Sequence, residues 1–189
     1  MDARARKVHR TQATAPGAPL LRAAAFPIRF FVLFAVLACA SEAVRGGPGE
    51  TAWVQHLFLQ PTAALINALE PGEHAVVAGR AIASQTSMLR VTRGCEGTEL
   101  LLLLFGAILA YPAGLLIKTR GLIAGVALAY GLGIARLLAL HYTLSYAPHA
   151  WEALHGLVLP ALPLALIALY FMSWSAAAAA TTGAHGGAR

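Results

Sequence analysis

Arg93-Gly94-Cys95-Glu96-Gly97-Thr98-Glu99 runs directly into the apolar stretch Leu100 to Ile117, and this junction decides how the chain is read. The stretch is near-continuous in Leu, Ile, Phe and Ala and long enough to cross a hydrocarbon core of about 30 Å, with Gly106 and Pro112 tolerable inside it. It predicts a membrane helix. A thiol, an arginine and two carboxylates at the mouth of such a helix are costly to place there without a use, which makes Cys95 a candidate nucleophile.

Composition agrees. The chain has 189 residues, of which 58% are hydrophobic and only 12% charged, with a mean hydropathy of +0.66. That is too apolar for an ordinary soluble domain and describes an integral membrane protein. The net charge of +6 does not point to nucleic acid, because the basic residues gather at the N-terminus and in one short loop, without interleaved aromatics. Two cysteines exclude a disulfide framework; Cys39 falls inside an apolar stretch and reads as a small core residue, which leaves Cys95 free to react.

Working outward from the junction, an all-α integral membrane protein of about four transmembrane helices is expected. Residues 1–25, with Arg4, Arg6, Lys7, Arg10 and Arg22, form a disordered basic cytoplasmic tail. Helix 26–44 follows, with Arg29 and Glu42 at its ends; a cleaved signal peptide is the competing reading of this segment. Residues 45–98 read as an extracytoplasmic loop. Within it, Trp53, Leu57, Leu59, Ala64, Leu65 and Leu69 have a helical spacing interrupted by Pro61, which suits a kinked interfacial helix. Alternation around Val76, Ile82 and Leu89, with a turn at Gln85-Thr86-Ser87, suits a small β-hairpin leading into Cys95. Helices 99–117, 121–144 and 155–174 complete the membrane domain, and 175–189 reads as a disordered tail. In the third helix Gly121, Gly125, Ala129 and Gly133 recur every four residues, a stripe that allows backbones to approach closely.

Charge placement orients the bundle. Lys118, Arg120 and the N-terminal basic residues fall on the cytoplasmic side, which satisfies the positive-inside rule and sets Cys95 and His155 at the outer mouths of helices two and four. Arg136 lies about eight residues, or roughly 12 Å, before the outer end of helix three, so all three can converge in the outer leaflet. Arg93 and the helix N-terminus favour a Cys95 thiolate; Glu96 and Glu99 oppose it. An arginine inside a membrane segment costs at least about 2.5 kcal/mol on insertion scales, so Arg136 is functional by default, or pairs with Glu99 in a structural role. His155, His141, Glu96 and Glu99 are all available as the acid–base group.

Gly94-Cys95-Glu96-Gly97 opening an apolar helix, Ala135-Arg136-Leu137 inside the next, and His155 opening the one after resemble the exosortase/archaeosortase family of membrane transpeptidases, over roughly residues 70–174. The resemblance implies a compact, inner-membrane member with its active site facing the periplasm. It implies catalytic Cys95, Arg136 and His155, and substrates that are C-terminal sorting tails of exported proteins: a short motif, a membrane helix and a basic cluster. Such tails would be cleaved and passed to an acceptor, in connection with exopolysaccharide production.

Other chemistries fit less well. A thiol-redox enzyme needs a cysteine pair on the outer face, a metalloprotease needs a His-Glu-x-x-His or equivalent, and no motif calls for a cofactor. The remaining alternative is a non-catalytic membrane assembly factor, in which Arg136 and Glu99 form a buried pair and Cys95 only packs.

Overall fold

The computed structural model describes residues 18–44, 48–92 and 97–186. It is a mostly helical membrane protein with one small antiparallel sheet. Three helical stretches are long and apolar enough to cross a membrane: Ala25–Ala43 within α1 (Ala18–Val44), α5 (Leu115–Tyr146), and Pro148–Thr181, which ends in α7 (Leu159–Gly186).

The fourth expected span is different. Helix α4 (Thr98–Ala110) has 13 residues, about 20 Å at 1.5 Å per residue, short of a full hydrocarbon core. It stops because Tyr111 turns extended ahead of Pro112, the conformation that a following proline favours. Leu115, Leu116 and Ile117, expected to finish this helix, instead begin α5, which runs unbroken through Lys118-Thr119-Arg120. Lys118 Nζ donates to the Leu109 carbonyl at 2.7 Å, satisfying one of the acceptors that the end of α4 leaves open.

α1 packs on α4, where Phe34 and Phe30 lie over Gly106. The remainder of α1 exposes Ile28, Phe31, Val32 and Val36, an apolar surface suited to lipid. Cys39 is exposed on this helix, so it is not the core residue expected. The small-residue stripe is buried as expected: Gly121, Gly125, Ala129 and Gly133 all lie inside the bundle. Leu104, Tyr170 and Trp174 pack over its first half. At the far end α7 continues helically past residue 174, where disorder was expected; the run Ala176 to Ala180 has the highest helix propensity available.

Between α1 and α4 the chain builds a folded cap. α2 (Pro48–Val54), a π turn (Gln55–Leu59) and α3 (Gln60–Leu69) form one helical rod. The wider π turn just ahead of Pro61 gives the proline ring room against the preceding carbonyls, so the helix runs on through the proline. Val54, Phe58, Leu59 and Ile66 are buried, whereas Trp53, Leu57, Leu65 and Leu69, on the adjoining face, are exposed. One apolar face therefore serves the protein, and the other remains free for the bilayer interface.

The expected hairpin is a three-stranded meander of β1 (Val76–Ala78), β2 (Ala81–Ala83) and β3 (Met88–Arg90), in the order β1-β2-β3. Gly79, at φ +60°, makes the two-residue turn between β1 and β2. Val77, Ile82 and Leu89 lie in one cross-strand row and face a core shared with Phe58, Leu137 and Leu140. Asn67 fastens α3 to the sheet with two bonds to Ala75, at 2.6 and 2.9 Å. Arg80 fastens the hairpin turn to Glu50 at 2.9 Å.

Candidate functional site

Arg136 sits on α5 about 15 Å before the helix end at Tyr146, at the level of the cap. Its own side chain is half-buried, and its neighbours Ile134, Leu137 and Leu140 are buried in the core that also receives Val91 and Leu159. The helix accommodates an arginine here because the side chain is only partly buried, with apolar neighbours on either side.

His155 comes to the same level by a different route. After α5 the chain turns through a 3-10 segment (Pro148–Ala150), α6 (Trp151–Ala153) and a second π turn (Leu154–Val158) before α7. This π turn, like the first, ends two residues ahead of a proline, here Pro160, and it carries His155. The imidazole stacks nearly parallel on the Trp151 indole, with centroids 5.0 Å apart and 10° between the planes. Trp151 and Leu154 pack on the same core as Leu137, so the turns bearing Arg136 and His155 meet at the cap end of the bundle.

The third component approaches there too. Gly97, at φ +84°, precedes α4, and a Cβ on it would lie 3.9 Å from the Gly133 Cα, one helical turn before Arg136. A glycine is required at this turn by its left-handed backbone. Cys95 and Glu96, with Arg93 and Gly94, lie outside the described residues.

Glu99 is exposed in the first turn of α4, and no hydrogen bond or ion pair joins it to Arg136 among the described residues. The structural pairing weighed from the sequence is therefore not made.

His141 is also placed, and not as a free base. It is fully buried, with Nδ1 3.1 Å from Ser87 Oγ and Nε2 4.0 Å from Glu73 Oε2. Glu73 accepts from Thr86 Oγ1 at 2.9 Å, Thr86 Oγ1 lies 2.9 Å from Ser145 Oγ, and Ser145 Oγ donates to Ser87 Oγ at 3.1 Å. Bonding from Ser84, then from Thr86, together with the nearby His141, holds the Glu73 carboxyl below its ordinary range, against the effect of burial. Tyr146 completes the seam by donating to Glu70 at 2.6 Å. These contacts clamp the cap onto the last turns of α5, and so hold the sheet in register with Arg136.

Sequence reasoning missed this clamp. Its signal was the cluster His141, Ser145 and Tyr146 at one helix end, spaced about one turn apart, which marks α5 as projecting beyond the hydrocarbon core into polar surroundings.

A groove of about 470 Å³ lies at the opposite end, between α5 and α7, lined by Arg120, Gly121, Ala124, Tyr170 and Trp174, and takes no part in this arrangement. No group of three His, Cys, Asp or Glu side chains able to hold a metal occurs among the described residues. Protein-family models, curated proteins and solved structures were each compared with the chain, and none matches.

Proposed function

We propose that the chain is a membrane-embedded cysteine transpeptidase of the exosortase kind, in the inner membrane with its site facing the periplasm, that cuts C-terminal sorting tails from exported proteins. One observation supports the reading: Gly97, two residues along the chain from Cys95, abuts Gly133 on the Arg136 helix, while Trp151 and Leu154, beside His155, pack on the same core as Leu137.

In this mechanism the Cys95 thiolate attacks the scissile carbonyl carbon, and the Arg136 guanidinium receives the developing oxyanion. Collapse of the tetrahedral intermediate breaks the C–N bond, and His155 gives a proton to the leaving amine. The thioester is then opened by an acceptor nucleophile or by water, with His155 taking a proton from the attacking group. Stacking on Trp151 fixes the imidazole plane for this exchange. The alternative reading is a non-catalytic assembly factor, in which Arg136 is structural and Cys95 only packs.

The test is Cys95→Ala. It should accumulate normally and leave uncut precursors that end in a membrane helix and basic cluster, while Cys39→Ala processes them as wild type does; Cys95→Ser should also be largely inactive. Full processing of every such tail by Cys95→Ala would remove the enzyme reading.

A further inference from the structure

The hydrogen-bond alternation of the sheet shows which of its groups remain open. Ser84 N–H donates to the Ser87 carbonyl at 2.9 Å and Val91 N–H donates to the Arg80 carbonyl at 2.8 Å, so 84/87 and 80/91 are hydrogen-bonded pairs. In an antiparallel ladder such pairs alternate with non-bonded ones. The register Ala83↔Met88 and Ala81↔Arg90 therefore puts Met88 and Arg90 at the non-bonded positions. Their N–H and C=O groups point away from β2, toward the outer edge of the sheet. Both residues are exposed, Met88 at 62%, and among the described residues nothing pairs with these main-chain groups.

An open edge strand is a template for another extended chain, and proteins ordinarily cover or disrupt such edges. Among the described residues nothing pairs along this one, and Ser87, just ahead of it, is tied to α5 through His141 and Ser145. A cavity of about 410 Å³ opens beside it, lined by Gly79, Arg80, Ala81, Met88, Arg90 and Thr92. The strand itself leads, five residues beyond Arg90, to Cys95.

We propose that β3 is the docking strand for the substrate: the extended segment ahead of a sorting tail's membrane helix pairs with Met88 and Arg90 as a fourth strand. Alternate side chains of that segment point to the outer face, where the cavity takes one. This deepens the transpeptidase reading and rests on it. A second copy of the chain is a poorer occupant, because two outward-facing residues offer only a few main-chain bonds. That is too little for a stable dimer but suits a substrate that must leave after cleavage.

Proline at Met88 or Arg90 removes one outward N–H without touching the bonds to β2, and prolines are tolerated at such edge positions. Met88→Pro and Arg90→Pro should each lower tail processing tenfold or more at normal membrane abundance, and by clearly more than Met88→Ala and Arg90→Ala, which keep the main-chain donors. As a second measurement that does not depend on those variants folding, a benzophenone amino acid at Met88 in a Cys95→Ala background, irradiated in cells, should crosslink to precursors at the segment just ahead of their C-terminal membrane helix. Proline variants that process normally while Cys95→Ala is inactive overturn the docking proposal and leave the transpeptidase reading standing. Equal losses in the alanine and proline variants, or crosslinks only between copies of this chain, also overturn it. Full processing by Cys95→Ala removes both.

Discussion

Replacing Gly121 by alanine should weaken the bundle even though alanine is the better helix former. A Cβ at Gly121 would fall inside the Trp174 indole, a rigid ring on α7 whose neighbour Tyr170 donates to the Gly121 carbonyl at 2.5 Å. Forcing an extra methyl into a packed site costs about 1–3 kcal/mol. The gain from removing a mid-helix glycine is about 1 kcal/mol at most. Set against that full gain, the net should be a loss of up to about 2 kcal/mol. Gly131 supplies the control on the same helix, since a Cβ there meets nothing within 4 Å. Gly131→Ala should therefore hold or raise stability by up to about 1 kcal/mol. Gly125→Ala should fall between the two, because its Cβ would meet Leu104 Cδ2 at 2.5 Å, the movable end of a flexible side chain, with Tyr170 Cε1 at 3.0 Å. Thermal unfolding in detergent, followed by circular dichroism, orders the three. A Gly121→Ala midpoint at or above wild type, or a Gly131→Ala loss as large as that of Gly121→Ala, would refute the packing argument.

The polar clamp makes a pH-dependent contribution. Because the Glu73 carboxyl is held below its ordinary value of 4.5, its stabilisation is complete above that value and is lost as the pH falls through the lower folded value. The stability difference between wild type and Glu73→Gln should be largest at neutral pH and shrink below about pH 4.5, as measured by unfolding across a pH series. Arg136→Lys keeps the charge but not the planar fork, so processing should drop by orders of magnitude with insertion unchanged; near-normal processing would reduce Arg136 to simple charge pairing. A reporter inserted at Gly114, in the α4–α5 turn, should behave as cytoplasmic, and one at Gly72 as extracytoplasmic; reversed signals would invert the proposed topology.

Hydropathy alone determined that this is a helical membrane protein, because burying a backbone in lipid leaves few solutions and the apolar runs are long. The four-residue recurrence from Gly121 to Gly133 likewise announced its packing role, since only small residues allow neighbouring helices that close. The alternation from Val76 to Val91 announced strands ahead of Cys95. Helix ends were less legible. The break at Pro112, the uninterrupted run of α5 through Lys118 and Arg120, and the extension of α7 depend on which turns find partners, such as Lys118 on the Leu109 carbonyl. The site was legible only as an order of residue types. That His141 is buried against Ser87 with Glu73 4.0 Å away, that Glu99 is exposed, and that Gly97 abuts Gly133 one turn from Arg136 follow from contacts between residues far apart in the chain, which no local pattern encodes. Tertiary structure decided these points because a buried polar group must find its partner wherever the fold brings one.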